Sequence, residues 1–188
     1  MEKTDYQGIS IAGLLVTGDA GSPRLLVDAY RPAIYSYCAR MLGNSDDAED
    51  ATQECFLQAL RDAAALRSPE KLREWLFGIA RHRVLMALRT RKNGRREKLT
   101  DDLWDEETPH TIAEANDIRS HVRRAIAALA PAYREMVVLR DYNSYSYAEI
   151  AALTGLTENV VRVRLHRARQ ALIRKLTPVF LEEDSREL

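Results

Sequence analysis

The segment that decides the fold lies towards the carboxyl end of the chain, where residues 146–157 read SYAEIAALTGLT. It predicts a short helix, a turn that contains Gly155, and a residue, Thr157, that can cap a new helix. This order is the pattern of the helix-turn-helix, in which the second helix enters the major groove of DNA. Repressors, activators and recombinases share the pattern, so it does not assign a function by itself.

The helix predicted after Thr157 has one apolar stripe and one basic face. The apolar residues recur at helical spacing and should pack on the preceding helices: Val161, Leu165, Ala168 and Leu172. The predicted DNA-binding residues point away from that stripe: Asn159, Arg162, Val163, Arg164, His166 and Arg167, with Arg169 beside them. Acidic residues are absent between Asn159 and Lys175, which favours DNA binding over the alternative of a solvated basic helix.

The chain has a net charge of zero, but its charges are segregated. Residues 45–62 carry six acids and one base, whereas residues 71–98 carry ten bases and two acids. Residues 99–118 hold seven acids and no base, and residues 119–175 hold eleven bases against four acids. Basic blocks suit phosphate and acidic blocks avoid it, so the pattern predicts two surfaces for two partners.

The strongest boundary in the chain lies between Asn93 and Pro109, a stretch rich in acids and turn residues that has no sustained period. Helical spacing of apolar residues on both sides predicts an all-α protein of two small helical domains. We expect a first domain over 1–95, a flexible acidic linker over 96–113, a second domain over 114–178 and an acidic tail over 179–188. The linker is interpreted as a solvated tether or, alternatively, as a nucleic-acid mimic.

The predicted helices of the first domain begin at Ser22-Pro23, near Ser45 and at Ser68-Pro69, with serine as a cap and proline in the first turn. Pro32 should kink or split the first of them. The second should end near residue 63 and the third near residue 92. In the second domain we expect helices at about 115–129, 132–141, 146–153 and 158–175.

The helix predicted from Ser45 has a small buried face and an acidic face. The small or apolar residues share one side: Ala48, Ala51, Thr52, Cys55 and Ala59. The opposite side is polar, and Leu57 and Leu60 point into it. An apolar side chain within a polar stripe suggests a protein contact, although isolated exposed leucines are common.

Other classes of protein are disfavoured. Cys38 and Cys55 lack CxxC spacing and are expected in the core, with a redox switch as the alternative. His166 has no partner at metal-ligand spacing, so neither a metal nor a cofactor is predicted. The sequence contains no apolar run long enough for a membrane span and no pattern of a secretory signal, which predicts a cytoplasmic protein that is not itself a membrane protein.

Three motifs together resemble the extracytoplasmic-function sigma factors. Residues 43–56, GNSDDAEDATQECF, resemble the polymerase-binding segment of that family, and residues 75–81, WLFGIAR, resemble its promoter-melting segment. Residues 129–135, LAPAYRE, together with 147–171, resemble its reader of the upstream promoter element. The motifs occur in the order of the family and cover about residues 10–176, which is more specific than any single motif.

The resemblance implies sigma regions two and four, joined by a linker, in a non-enzymatic protein that directs core RNA polymerase to promoters and aids DNA melting. It implies that the β′ clamp helices are bound by Asp46, Asp50, Gln53, Glu54 and Leu57. The β flap of the polymerase and an anti-sigma factor are further implied partners. The helix around Trp75 would engage the downstream promoter box. Trp75 shares a stripe with Leu72, Leu76 and Ile79 and is expected in the core, which leaves Arg81, His82 and Arg83 to contact the melted strand.

The chain departs from the family pattern at two places. His82 and Met86 stand where asparagine and aspartate are usual. Asn159, Val160 and Val163 replace a commoner glycine-threonine pair and a serine, which removes hydroxyls that could meet DNA. The preferred promoter sequence is therefore expected to be unusual. A stand-alone helix-turn-helix regulator is the alternative function, and it leaves the first domain unexplained. No catalytic motif of an ATPase, metalloprotease or hydrolase is present in the sequence.

Overall fold

The computed structural model describes residues 6–93 and 118–184, and all regular elements in these two ranges are helices. The chain divides into two compact units, Met1–Arg96 and Glu97–Leu188. The all-α prediction with two helical domains is confirmed. The predicted linker lies outside the described residues. The three boundaries between the four predicted segments stay predictions.

The first unit contains α1 (Tyr6–Thr17), α2 (Ser22–Leu42), α3 (Ser45–Arg61) and α4 (Leu72–Asn93), with short 3₁₀ turns at Ala63–Ala65 and Pro69–Lys71. Helices α2, α3 and α4 pack against one another, and α1 packs on α2, α4 and the second 3₁₀ turn. The core is apolar, and its centre is the ring pair of Tyr37 and Phe77, whose centroids lie 5.6 Å apart at an interplanar angle of 67°. Such an edge-to-face pair adds stability beyond the buried area.

Two local expectations in this unit are wrong, and a third is wrong in part. Helix α2 continues through Pro32, so the helix is not split there, and a kink at Pro32 stays a prediction. The Pro32 ring is exposed, so water can satisfy the carbonyl that loses its partner. Ser22 does not cap α2, since its hydroxyl donates to Asp19 O at 2.7 Å. The helix expected at Ser68-Pro69 begins instead at Leu72, after the 3₁₀ turn.

Helix α1 was not among the predicted helices. Ile11 and Leu15 are spaced by one turn, and both are buried against the rest of the unit. Helix α3 begins one residue after its cap, Asn44, whose Oδ1 accepts hydrogen bonds from Asp46 N at 2.8 Å and Asp47 N at 3.3 Å. The short polar side chain at this position therefore fixes where the acidic helix starts.

The second unit contains α5 (Ile118–Ala127), α6 (Pro131–Val137), a π-helical turn (Val138–Tyr142), α7 (Tyr147–Thr154) and α8 (Glu158–Asp184). Helix α8 packs against α5, α6 and α7 and is therefore the centre of this unit. It continues past the predicted end at residue 175 and includes Pro178. None of the helices in the described ranges combines the length and apolarity that crossing a membrane requires.

Candidate nucleic-acid interface and acidic helix

Both helices of the helix-turn-helix have capping residues that fix where they begin, and Gly155 ends the first of them. Ser146 Oγ accepts from Glu149 N at 3.2 Å, and Ser146 N donates to Glu149 Oε2 at 2.6 Å, which completes a capping box. Gly155 ends α7 with a φ of 74°, a left-handed conformation that favours glycine. Thr157 Oγ1 then accepts from Val160 N at 3.4 Å and caps α8. The predicted helix-turn-helix is therefore present.

Helix α8 presents its basic residues outward because its apolar stripe is buried. Val161, Leu165 and Ala168 are at most 1% exposed. Ala171 completes the buried stripe, and the predicted Leu172 is only half-buried. Of the six residues of α8 predicted to bind DNA, Arg164 is half-buried and the other five are exposed: Asn159, Arg162, Val163, His166 and Arg167.

Two arginines of this face contact other residues of the second unit. The Arg162 guanidinium lies over the ring of Tyr147, 5.9 Å from its centroid, and Arg140 lies 5.2 Å from the same centroid. Arg169 forms a hydrogen-bonded ion pair with Asp141 in the π-helical turn, and the hydrogen bond raises the pKa of Arg169. Arg169 is therefore held as a structural contact, whereas Arg162 remains exposed above an aromatic support.

A buried arginine joins α5 to α6, two of the helices on which α8 packs. Arg134 is 2% exposed and donates from Nε and Nη2 to Leu129 O, at 3.2 and 2.9 Å, and from Nη2 to Ala127 O. These carbonyls lie at and after the end of α5, where the helix offers them no partner. Asn143 Nδ2 donates to Val138 O at 2.9 Å and closes the π-helical turn in the same way.

The acidic face of α3 is exposed, as its sequence pattern predicts. The predicted small face is buried, with Phe56 added to it. Leu57 is 50% exposed. All five residues predicted to bind polymerase are exposed: Asp46, Asp50, Gln53, Glu54 and Leu57. Leu60 is half-buried and contributes less apolar surface than predicted.

Arginines from α2 and α4 border the acidic face. Arg31 Nη2 donates to both oxygens of Glu49, at 2.8 and 3.0 Å, and this contact lowers the pKa of Glu49. Arg91 pairs with Asp47 and donates to Leu42 O at 2.8 Å. These contacts fasten α3 to both neighbouring helices through one edge of its polar side.

The basic face of α4 is less uniform than expected. His82 is exposed, whereas Arg81 and Arg83 are half-buried. The expectation for Trp75 is wrong, because it is only half-buried. Phe77 is the buried aromatic instead, since its ring packs on Tyr37. Ile79 is also half-buried, so the core stripe of α4 consists of Leu72, Leu76, Phe77, Ala80 and Val84.

Comparison with known proteins matches both units to one family. Residues 26–94 match the family model of sigma-70 region 2, and residues 120–172 match that of sigma-70 region 4. The RNA polymerase sigma factor CarQ of Myxococcus xanthus is 30% identical over 156 residues, which are 81% of this chain and 88% of CarQ. The chain belongs to the sigma-70 family. It is an RNA polymerase sigma factor, as its sequence motifs predict.

Relatives named as extracytoplasmic-function factors also resemble this sigma factor. SigW of Bacillus subtilis is 29% identical over 170 residues, which are 85% of this chain and 91% of SigW. SigE of Mycolicibacterium smegmatis is 33% identical over 151 residues, and this match covers 78% of the present chain and 58% of SigE.

Two solved structures share the fold of this sigma factor. CnrH, solved with the cytosolic domain of CnrY, has a TM-score of 0.67 at 21% identity and covers 92% of this chain and 98% of that one. RpoE, solved with the anti-sigma factor NepR from Bartonella quintana, has a TM-score of 0.66 at 20% identity, covering 84% of this chain and 98% of that one. Both likenesses support the helical architecture described above.

Both cysteines of the sigma factor lie in the core of the first unit, as expected. Cys38 and Cys55 are fully buried, and Cys55 Sγ lies 3.5 Å from Leu76 O. Desolvation by burial raises the pKa of the Cys38 thiol to about 11 and that of Cys55 to about 12. Protonated thiols react poorly, which disfavours the alternative of a redox switch.

Sequence reasoning missed two side chains that shape the interface of this sigma factor. Tyr147 was part of a quoted motif, but its place beneath Arg162 and Arg140 depends on the meeting of α7, α8 and the π-helical turn. Arg134 was also quoted without a role, because arginine is a residue type expected at the surface. Pro131 begins α6 three residues before Arg134, and a proline at the start of a helix indicates that the preceding helix, α5, has ended.

Proposed function

We propose that this chain is an extracytoplasmic-function (group IV) sigma factor that binds core RNA polymerase and directs promoter-specific initiation. In this role α8 recognises the upstream promoter box in duplex DNA, and α4 contacts the melted strand of the downstream box. The protein itself catalyses no reaction. The observation that carries the proposal is the pairing of an acid-free, outward basic face on α8 with an exposed acidic face on α3 in the same chain.

The second unit supplies the duplex contact. Its candidate residues for bases and phosphates are Arg162, Val163, Arg164, His166, Arg167 and Asn159. Arginine can bind guanine through two hydrogen bonds, whereas Val163 can only make apolar contact, for instance with a thymine methyl group. The exposed Val163 and Asn159, where the family pattern has smaller or hydroxylated residues, favour a promoter preference that differs from that of relatives.

The first unit supplies the polymerase contact and the single-strand contact. Exposed carboxylates of α3 around Leu57 suit a basic partner with an apolar pocket, and the β′ clamp helices are the proposed site, with the β flap as a second contact. On α4, His82 is exposed and Arg81 and Arg83 are half-buried; these side chains and the part-exposed Trp75 suit an unpaired strand, which presents both phosphates and base faces.

An anti-sigma factor is the proposed regulatory partner, and the cytoplasm is the proposed location. Support for the partner comes from the solved structures of RpoE and CnrH, each of which contains a second protein. A partner that covers α3 would compete with polymerase for the same carboxylates, which is a direct means of inhibition.

The deciding experiment is a gel shift on promoter duplex with and without core polymerase, followed by transcription from a promoter library. The proposal expects a specific complex and run-off transcripts only when core polymerase and this protein are both present. A tight, sequence-specific complex without polymerase, with no effect on transcription by core enzyme, would support a stand-alone regulator instead.

A further inference from the structure

A polar cluster joins α3 to α4 beside the acidic face. Arg83 Nη2 on α4 donates to Gln58 Oε1 on α3 at 2.8 Å and lies 3.7 Å from Glu54 Oε2. Glu54 is one of the residues assigned to polymerase, and Arg83 is one of those assigned to the melted promoter strand. One ion pair therefore links a side chain of each proposed interface.

Glu54 is held loosely in this cluster. Arg61 Nη2 also approaches Gln58 Oε1, at 3.2 Å, and Glu54 Oε2, at 4.0 Å, so two guanidinium groups share the same two oxygens. Both distances to Glu54 are at the long end for ion pairs, and its side chain is 51% exposed. Exposed pairs of this kind are weak, so a stronger cation on a partner can take Glu54 away.

Gln58 is held more firmly than Glu54. Besides accepting from Arg83, it donates through Nε2 to Asp62 at the end of α3. The amide is neutral, so it fixes the position of the Arg83 guanidinium without cancelling its charge. Arg83 Nε is buried and has no hydrogen-bond partner among the described residues. The cluster contains the carboxylates of Glu54 and Asp62, and among the described residues Glu54 is the one that lies within ion-pair distance of Arg83.

We propose that Glu54 masks the charge of Arg83 in the free protein, and that docking of α3 on polymerase removes the mask while Gln58 keeps the guanidinium in place. Binding of polymerase and binding of the promoter strand are then coupled through Arg83, and each favours the other by the same factor. The inference rests on the proposed function of α3 and α4. It assigns Glu54 a second role, as a suppressor of strand binding when polymerase is absent.

The test measures the affinity of the full-length free protein for a fluorescent single-stranded oligonucleotide at several low salt concentrations. Glu54→Gln keeps the shape of the side chain and removes its charge, so we expect binding about two- to five-fold tighter than wild type, the range of a weak exposed ion pair. The salt dependence should steepen by about 0.7 in log–log slope, as for one further phosphate contact on a single strand. In an Arg83→Ala background, Glu54→Gln should change neither quantity beyond its general charge effect.

Asp50→Asn is the matched control for that general effect. It makes the same change in net charge one turn earlier on the same exposed face. Its gain should be smaller, and should persist in the Arg83→Ala background. The coupling is wrong if Glu54→Gln gives no gain in affinity, or if its gain survives replacement of Arg83 undiminished.

A second measurement, of core polymerase affinity, distinguishes failure of this inference from failure of the proposed function. Core polymerase affinity is measured for the same variants, and Arg83→Ala should bind core at least as tightly as wild type, because Glu54 is released. If no variant and no wild-type protein binds core, the proposed function fails, while the oligonucleotide measurements still decide whether Glu54 masks Arg83.

Discussion

Arg162 and Arg167 are the side chains of α8 best placed to read bases. Both are exposed in the amino-terminal half of the helix, where helix-turn-helix proteins contact base edges. Arg162→Ala or Arg167→Ala should reduce the preference for guanine in the upstream box by about 1–3 kcal/mol, because a bidentate contact is lost. The measurement is transcription by reconstituted holoenzyme across a library randomised at that box.

Arg174→Ala is the matched control for these variants. Arg174 is also exposed on α8, three turns beyond Arg162, and should contact phosphate at most. Its loss should weaken binding to all sequences alike. Identical base preferences for the wild type and all three variants would contradict the assignment of Arg162 and Arg167 as readers.

The two buried thiols make the first unit sensitive to alkaline pH. Both have a pKa above the ordinary value of 9.0, so the unfolded chain loses these protons first as pH rises. The free energy of unfolding should therefore be unaffected by the thiols below pH 9 and fall above it, by on the order of 1 kcal/mol per thiol for each pH unit up to about 11.

A double variant, Cys38→Ala with Cys55→Ala, isolates this effect from the titration of tyrosine and lysine. Chemical denaturation at a series of pH values should give a shallower loss of stability above pH 9 for the variant than for the wild type. Parallel curves would mean that the thiols ionise without unfolding, and that their burial is less complete than the structure indicates.

At the scale of single elements, the turn between α7 and α8 depends on the backbone conformation of Gly155. No atom within 4 Å would meet a Cβ there, so the cost of Gly155→Ala comes from its φ of 74° alone. We expect a loss of about 1–2 kcal/mol in the free energy of unfolding, since alanine in the left-handed region is strained. The loss is measured by following the circular-dichroism signal of the helices during chemical denaturation.

Gly13→Ala is the control, and we expect it to change the free energy of unfolding in the opposite direction. Gly13 lies within α1, and an added Cβ there also meets no atom within 4 Å. The same substitution should stabilise the protein by about 0.4–1 kcal/mol, because alanine loses less backbone entropy in a helix. Equal effects at the two positions would show that the turn at Gly155 tolerates another conformation.

The elements that sequence reasoning found are those whose signal is local. The buried faces of α3 and α8 follow from helical spacing. Ser146 and Gly155 mark the two ends of α7, and Thr157 marks the start of α8. The prediction was wrong or silent where a residue distant in the sequence determines whether a side chain is buried. Leu76 and Phe77 are adjacent apolar residues, and only contact with Tyr37 on another helix makes Phe77 the core aromatic in place of Trp75. Arg134 is buried because two carbonyls at the end of α5 need its donors, which no periodicity reveals.

At the scale of the whole molecule, polymerase binding should depend on the sign of charge on α3. Asp50→Lys should weaken the affinity for core polymerase by roughly tenfold or more, because it places like charges together in a desolvated contact. Asp50 is exposed, so the helix content and the melting temperature should stay close to those of the wild type. A pull-down of core enzyme with purified protein measures the effect.

Asp28→Lys makes the same change of charge at an exposed site on α2, outside the acidic face. It should leave core binding near the wild-type level. If both reversals weaken binding equally, the polymerase responds to the net charge of the first unit, and α3 is not a specific docking surface.

The burial of both native cysteines also makes it possible to attach dyes at chosen surface positions and to measure the distance between them. A maleimide dye reacts with a thiolate at the surface, so Cys38 and Cys55 should remain unlabelled while the protein is folded. Cysteines introduced at the exposed positions Ala64 and Gln170 would then be the preferred attachment points, one in each compact unit. Single-molecule energy transfer between two such dyes could follow the separation of the units in real time, in a protein that keeps its natural core.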